Sequence, residues 1–166
     1  MKMLKTISIL CVLLVTSFAR GTESDVRIEP PDRSGTRSLK EMTASTAIQN
    51  YLQAWQSFRR AFEQNSVDSL QQDFVGIAKD KLSDTIRQQS ALGIRSSYQD
   101  EKHDIQVAFY SPEGLSLELI DKVEYDVRFL DKNVTQATEH VRSKYIVVMT
   151  PAETRWKVRV FQAEPE

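Results

Sequence analysis

The sequence has few of the residues that build disulfides and metal sites. One cysteine, Cys11, and two histidines, His103 and His140, occur among 166 residues, and the formal net charge is −1. A single cysteine cannot form a disulfide within the chain, and a zinc site would need both histidines plus carboxylates. A nearly balanced charge argues against a nucleic-acid-binding surface. We therefore expect no metal, no cofactor and no nucleic-acid partner.

Long hydrophobic runs are also scarce. The one such run, residues 6–18, is shorter than the roughly 20 residues that a membrane-spanning helix needs. Lys2 and Lys5 precede it, and the small residues Ser17 and Ala19 fit the two key positions of a signal-peptidase site. We predict a signal peptide over residues 1–19, cleavage after Ala19, a secreted or periplasmic protein and no stable membrane anchor after cleavage. A retained anchor is the alternative, and Leu10 before Cys11 does not suit lipidation.

Residues 20–43 contain many charges, the pair Pro30-Pro31 and no apolar period. Such a segment cannot bury enough surface to offset its ordering entropy, so we predict a flexible linker there. The folded domain is then expected over residues 44–163.

The domain begins with helical patterns and ends with strand patterns. The first predicted helix has an apolar face of Ile48, Tyr51, Leu52, Trp55, Phe58 and Phe62. A second helical zone covers residues 67–92, with a break at Gly76 and an end at Gly93. Four antiparallel strands are predicted at residues 105–109, 115–130, 141–149 and 155–161, separated by short turns. This order predicts an α+β fold.

Three segments carry a resemblance to a known superfamily. They are "IQNYLQAWQSF", "LQQDFVGIAKDKLSDTI" and "YIVVMTPAETRWKVRVF". Over residues 44–162 the chain resembles the nuclear transport factor 2-like superfamily, which includes SnoaL-like proteins, and it is also similar to the C-terminal domain of plastid division proteins. The resemblance implies a cystatin-like cone, in which long N-terminal helices pack on a curved four-stranded antiparallel sheet with a pocket at its open end. Members include enzymes, binding modules and assembly domains, so the fold alone does not decide the function.

One acid interrupts an apolar row in the second predicted strand. Asp121 shares the odd-numbered row with Leu119 and Val123. If Gly114 closes a three-residue hairpin loop, Phe109 faces Leu117, Ile105 faces Asp121, and His103 lies diagonally across from Asp121.

Two interpretations of this acid stay open. In the first, His103 and Asp121 form a pair that transfers protons in a cofactor-independent hydrolase, isomerase or dehydratase. In the second, which we favour, a bulge turns Asp121 outward and the domain is a non-catalytic binding or assembly module.

Four aromatic residues form the candidate ligand pocket. Tyr51, Trp55, Tyr125 and Tyr145 have polar tips that could line a site for a small amphipathic ligand. Such a stripe is also typical of a packed core, and we favour the core interpretation.

The predicted outer sheet face carries two further features. Ile146, Val148 and Phe161 are expected to form an apolar patch there, which predicts a homodimer. The last two strands carry five basic residues, most of which are expected to point outward to solvent. They are Arg142, Lys144, Arg155, Lys157 and Arg159. The sequon at Asn133 lies on a predicted turn, and glycosylation there depends on the host.

Overall fold

The computed structural model describes residues 25–29 and 41–165. The predicted signal peptide, its cleavage site and Cys11 lie outside these residues. The elements, in chain order, are β1 (Asp25–Glu29), α1 (Glu41–Gln64), a short 3-10 helix (Val67–Leu70), α2 (Gly76–Ala91), β2 (Ile94–Tyr110), β3 (Leu117–Asp131), β4 (Val134–Pro151) and β5 (Trp156–Pro165). The α+β class is confirmed.

The described strands form one mixed sheet in the order β1-β2-β3-β4-β5. Neighbours from β2 to β5 pair antiparallel, whereas β1 pairs parallel with β2, placing Asp25 opposite Lys102. The prediction of a four-stranded antiparallel sheet is therefore wrong by one strand. The prediction of a flexible linker is wrong over Asp25–Glu29, because main-chain pairing holds this charged segment at the sheet edge and Val26 packs against the core.

The helices are shorter than the long pair that we expected. α1 has 24 residues and α2 has 16, and the predicted break before Gly76 is confirmed. Gly76 and Gly93 both adopt positive φ angles, of 53° and 71°, which glycine tolerates without strain. Two main-chain hydrogen bonds join the loop between the helices to β5. The amide of Val75 donates to the carbonyl of Val158, and the amide of Val158 donates to the carbonyl of Asp73.

The core lies between α1 and the inner face of the sheet. The helix contributes residues at the predicted three-and-four spacing, and the strands contribute alternate residues. Its largest fully buried side chains are Trp55, Tyr51, Phe74, Leu70, Ile86, Ile105, Leu117 and Leu119. This arrangement directs the polar tips of the α1 residues onto the sheet.

A bulge in β2 moves Phe109 out of the core. The register shifts between Val107 and Phe109, so Phe109 lies opposite Glu118 and not opposite Leu117 as predicted. Phe109 is 43% exposed. Ile105 lies opposite Asp121, as predicted, and Val107 lies opposite Leu119. The predicted three-residue loop is wrong, because the amide of Ser111 bonds the carbonyl of Ser116, which makes the loop one residue longer. The bulge after Val107 takes up that extra residue, so the predicted register returns beyond it.

A second bulge, between β4 and β5, reverses the prediction for Phe161. Met149 pairs with Val158 and Val148 with Val160, which leaves Arg159 as the extra residue. Phe161 consequently lies opposite the buried Val147 and packs against the core. The prediction that Phe161 belongs to the outer face is therefore wrong.

Arg155, one of the five basic residues predicted on the last two strands, is half-buried and forms an ion pair. Its Nη1 lies 2.9 Å from Oδ1 of Asp73, a residue that is only 2% exposed. Ser57 Oγ donates to the other carboxylate oxygen at 2.6 Å. Asp73 needs these partners, because a buried carboxylate without them would carry a large desolvation cost.

Candidate functional site

Three elements bring a histidine, an aspartate and a tyrosine together inside the fold. His103 on β2 lies opposite Val123, so its ring reaches diagonally to Asp121 on β3. His103 Nδ1 is 2.7 Å from Asp121 Oδ2, and the Tyr51 hydroxyl on α1 donates to the same oxygen at 2.6 Å. Since a carboxylate accepts hydrogen bonds, the histidine proton lies on Nδ1.

This network is buried. Asp121 is 0% exposed, Tyr51 0% and His103 3%. The interpretation in which Asp121 turns outward is therefore wrong, because the predicted register holds through Ile105 and keeps the odd-numbered row inside. The other carboxylate oxygen, Oδ1, is buried and has no hydrogen-bond partner among the described residues. One phenol and one imidazole hold the carboxyl group of Asp121.

A second buried pair lies on the same side of the sheet. Arg59 Nε lies 2.8 Å from Glu101 Oε1, and Arg59 Nη2 donates to the carbonyl of Tyr98 at 3.0 Å. Glu101 is 4% exposed. Burial raises the pKa of Glu101, while Arg59, His103 and the Trp55 indole lower it in part.

A bulge in β2 explains why the sequence analysis missed Glu101. The register shifts between Gln99 and Lys102, where Asp100 has a φ of 53°. Before this bulge the even-numbered Ser96 and Tyr98 face the core, and after it the odd-numbered residues do. Aspartate tolerates positive φ better than most residues, so Asp100 was the one signal in the sequence that could have indicated a bulge here.

The helix side of both pairs is one stripe on α1. Tyr51, Trp55 and Arg59 are four residues apart, so they lie on one helical face. Tyr51 bonds Asp121 and Arg59 pairs with Glu101. Trp55 lies between them, with its ring centroid 5.1 Å from that of His103. The stripe therefore fixes α1 against β2 and β3 by polar contacts as well as by apolar packing.

Three of the four aromatic residues of the candidate pocket pack together, and the fourth, Tyr51, contacts the His103 ring at a centroid distance of 6.4 Å. The Trp55 centroid lies 5.9 Å from that of Tyr125 and 5.2 Å from that of Tyr145. The Tyr125 and Tyr145 hydroxyls are 3.2 Å apart. Tyr125 and Tyr145 are 7% and 6% exposed. Burial raises the pKa of both phenols.

Every predicted inner-site residue therefore falls in one contiguous cluster. Its members are His103, Asp121, Tyr51, Trp55, Tyr125 and Tyr145. The rings of Phe58 and Phe161 pack on Trp55 at centroid distances of 5.1 and 5.5 Å. Trp55 Nε1 is buried and has no partner of hydrogen-bonding geometry within residues 25–29 and 41–165. This arrangement resembles a packed aromatic core around a polar centre.

The outer sheet face keeps part of the predicted apolar patch. Ile146 and Val148 are half-buried there, and the register places Ile120 and Val160 beside them. The exposed Phe109 lies in the same row as Val148, since both flank Glu118. We call Phe109, Ile120, Ile146, Val148 and Val160 the outer patch.

Three observations bear on the remaining predictions. Asn133 is exposed at the β3–β4 turn with a φ of 70°. In residues 25–29 and 41–165, no group of three or more His, Cys, Asp or Glu side chains is arranged to hold a metal ion. Over the same residues, neither α1 nor α2 is both long and apolar enough to cross a membrane.

Comparison with known proteins supports the fold. No protein-family model and no curated protein sequence matches the chain. Among solved structures, the intermembrane-space region of chloroplast protein ARC6 is similar over 78% of this chain and 100% of that one, with 15% identity and a TM-score of 0.60. A provisionally assigned scytalone dehydratase from Novosphingobium aromaticivorans is similar over 76% and 89%, with 11% identity and a TM-score of 0.56.

A provisionally assigned dehydratase of the NTF2-like family from Streptomyces avermitilis has a TM-score of 0.50 and 12% identity, and the match covers 74% of this chain and 98% of that one. The fold is nuclear transport factor 2-like. Both resemblances drawn from the sequence, to SnoaL-like proteins and to a plastid division protein, are confirmed at this level. Identities this low show the fold alone, and that fold is shared by provisionally assigned dehydratases and by the ARC6 region.

Proposed function

We propose that the protein is a non-catalytic binding or assembly module that acts outside the cytoplasm, after removal of residues 1–19. The observation that carries this proposal is the burial of His103 and Asp121, at 3% and 0% exposure, within a packed aromatic cluster. A catalytic pair must reach a substrate, whereas a structural pair must be enclosed. The enclosed pair favours a structural role, which leaves the surface of the domain for function.

The outer patch is the surface that we propose for assembly. It places five apolar side chains from four neighbouring strands on the face opposite the helices. An apolar group of this kind on a sheet is stabilised when a second surface covers it. A second copy of the chain is the proposed partner, giving a homodimer that packs outer face to outer face.

Analytical ultracentrifugation of Val148→Glu tests this assembly. A charge in the middle of the patch should weaken the dimer by at least about tenfold in Kd, because the carboxylate would be desolvated without a partner. Thr138→Glu is the matched control, since Thr138 is exposed on the same strand outside the patch. A native protein that stays monomeric at high concentration would remove the proposal.

One observation favours a cofactor-independent hydrolase, isomerase or dehydratase as a second candidate. Asp121 Oδ1 is buried without a partner among the described residues, next to an imidazole and a phenol. Orphaned polar atoms at a titratable cluster are typical of sites that bind a ligand.

Native mass spectrometry of the exported protein separates the two candidates. A dimer without bound molecules, with the mass of two chains that begin at Arg20, supports the non-catalytic module and the proposed cleavage. A retained small molecule that is lost in Asp121→Asn supports a ligand in the interior, and conversion of that molecule by the native protein but not by Asp121→Asn would support the enzyme. Release of the same molecule from Val148→Glu would instead assign it to the outer patch.

A further inference from the structure

A shallow pocket lies on the outer sheet face, away from the inner cluster and beside the outer patch. Its volume is about 260 Å³, and it extends from β1 across β2 and β3 to β4. His103 and Val123 line it, although their side chains are buried on the opposite face. They therefore contribute main chain to the floor, and the walls are charged side chains.

The strand register arranges these charges in two rows. In one row, Asp25 lies opposite Lys102, and Lys102 lies opposite Glu124. In the next row, Arg27 lies opposite Asp104, and Asp104 lies opposite Lys122. The sign of the charge alternates along each row, so every position has an oppositely charged neighbour.

Four of these charges nevertheless form no ion pair among the described residues. Glu124 is engaged by Arg142 at 3.5 Å and by His140 at 3.1 Å. Arg27 is engaged by Glu29 at 3.7 Å. The charges that form no ion pair in the part of the chain that the structure describes are Asp25, Lys102, Lys122 and Asp104. Asp104 Oδ1 is in addition shielded from solvent, and no described residue forms a hydrogen bond with it.

A carboxylate between two free ammonium groups can be satisfied from outside the chain. Of its two oxygens only Oδ1 is shielded from solvent without a partner among the described residues, and Asp104 as a whole is half-buried, so Oδ2 is the oxygen that a ligand can reach. An incoming ammonium group could then donate to Asp104, while an anionic group on the same molecule accepts from Lys102 and Lys122. A molecule with only one of these charges would satisfy one side and oppose the other.

We propose that this outer pocket binds a small zwitterion, a molecule with one ammonium group and one phosphate or carboxylate group. The ammonium group contacts Asp104, and the anionic group contacts Lys122 and Lys102. Lys122 is directly across from Asp104, so the two charges of the ligand need a separation of about 5 Å, the spacing of neighbouring strands. A cavity of about 260 Å³ holds a molecule of amino-acid size.

Titration calorimetry of the full chain with O-phosphoethanolamine tests the proposal. Three comparison probes each lack one feature of the ligand. Inorganic phosphate lacks the ammonium group, ethanolamine lacks the anionic group, and phosphocholine lacks the ammonium protons. O-phosphoethanolamine should bind at least about tenfold more tightly than any of the three, since charge-assisted hydrogen bonds are lost in each case. Glycine in the same assay distinguishes a carboxylate ligand from a phosphate ligand.

Variants assign the two halves of the site. Asp104→Asn should weaken O-phosphoethanolamine about tenfold without weakening phosphate, and Lys122→Gln should weaken both. Lys81→Gln, at an exposed position on α2, is the matched control and should change neither. Three results would overturn the proposal. They are equal affinities for phosphate and O-phosphoethanolamine, a higher affinity of Asp104→Asn for O-phosphoethanolamine, and no saturable binding of O-phosphoethanolamine by the folded protein.

Discussion

Replacing Tyr51 with phenylalanine removes one hydroxyl from the inner network and leaves the ring in place. That hydroxyl donates to Asp121 Oδ2 at 2.6 Å, between a helix and a strand that are distant in sequence. Because Asp121 is 0% exposed, water cannot replace the lost donor without opening the core. His103 would remain as the single hydrogen-bonding partner of the carboxylate.

The expected loss follows from the charge of the acceptor. A hydrogen bond to a buried charged group contributes about 1.5–3 kcal/mol, and a neutral one about 0.5–1.5 kcal/mol. We therefore expect Tyr51→Phe to lower the free energy of unfolding by about 2–3 kcal/mol. Tyr125→Phe is the matched control, because its hydroxyl contacts only the neutral Tyr145 hydroxyl, at 3.2 Å, among the described residues. Its expected loss is about 1 kcal/mol.

Urea unfolding of both variants and the native protein, followed by circular dichroism, measures these losses. The midpoint should fall further for Tyr51→Phe than for Tyr125→Phe, with the denaturant slope unchanged. Equal losses, or a Tyr51→Phe protein as stable as the native one, would show that Asp121 is not an ionised carboxylate held by this phenol.

Two further predictions concern buried titratable groups. Burial raises the pKa of Tyr51, Tyr98, Tyr125 and Tyr145. Above about pH 10 the phenols of the unfolded chain ionise, whereas those of the folded chain stay protonated. The free energy of unfolding therefore falls as the pH rises above about 10, by up to about 1.4 kcal/mol per phenol per pH unit. Tyrosinate absorbance should rise together with unfolding, and normal titration of the folded protein near pH 10 would contradict this. Separately, Arg155→Met should lower the free energy of unfolding by about 2–3 kcal/mol, because Asp73 loses its cation. Arg159→Met is the control and should lower it little. Equal decreases in Tm for the two variants would argue against a buried pair.

The alternation of residues along the strands was enough to predict the inner site. Apolar residues on odd positions predicted the inward face of β3. The pairing of Ile105 with Asp121 is confirmed, but the loop from which it was counted is one residue longer than predicted, and the bulge after Val107 offsets that error. The same register predicted that His103 and Asp121 lie within reach of each other. The preference for an outward Asp121 was wrong, because no bulge falls near that residue.

Bulges account for most of what the sequence did not predict. The bulge beside Asp100 turns Glu101 inward, and the bulge at Arg159 turns Phe161 from the outer face to the core. Each depends on one extra residue whose position no alternation of apolar and polar residues records.

The first strand escaped prediction for another reason. Asp25–Glu29 has the composition of a linker, and its pairing depends on the exposed edge of β2. Tertiary context supplies that edge, since β2 exists only when the sheet has formed. A charged segment of five residues carries too little local signal to show this.

Chemical modification of the two histidines tests the central claim, which is that the interior is enclosed. His140 has a side chain that is 52% exposed, and His103 has one that is 1% exposed, so the chain contains its own control. Diethyl pyrocarbonate should modify His140 rapidly in the folded protein and leave His103 unmodified until the protein unfolds, as followed by peptide mass spectrometry. Modification of both at similar rates under native conditions would contradict the account and show a site that is open to small molecules.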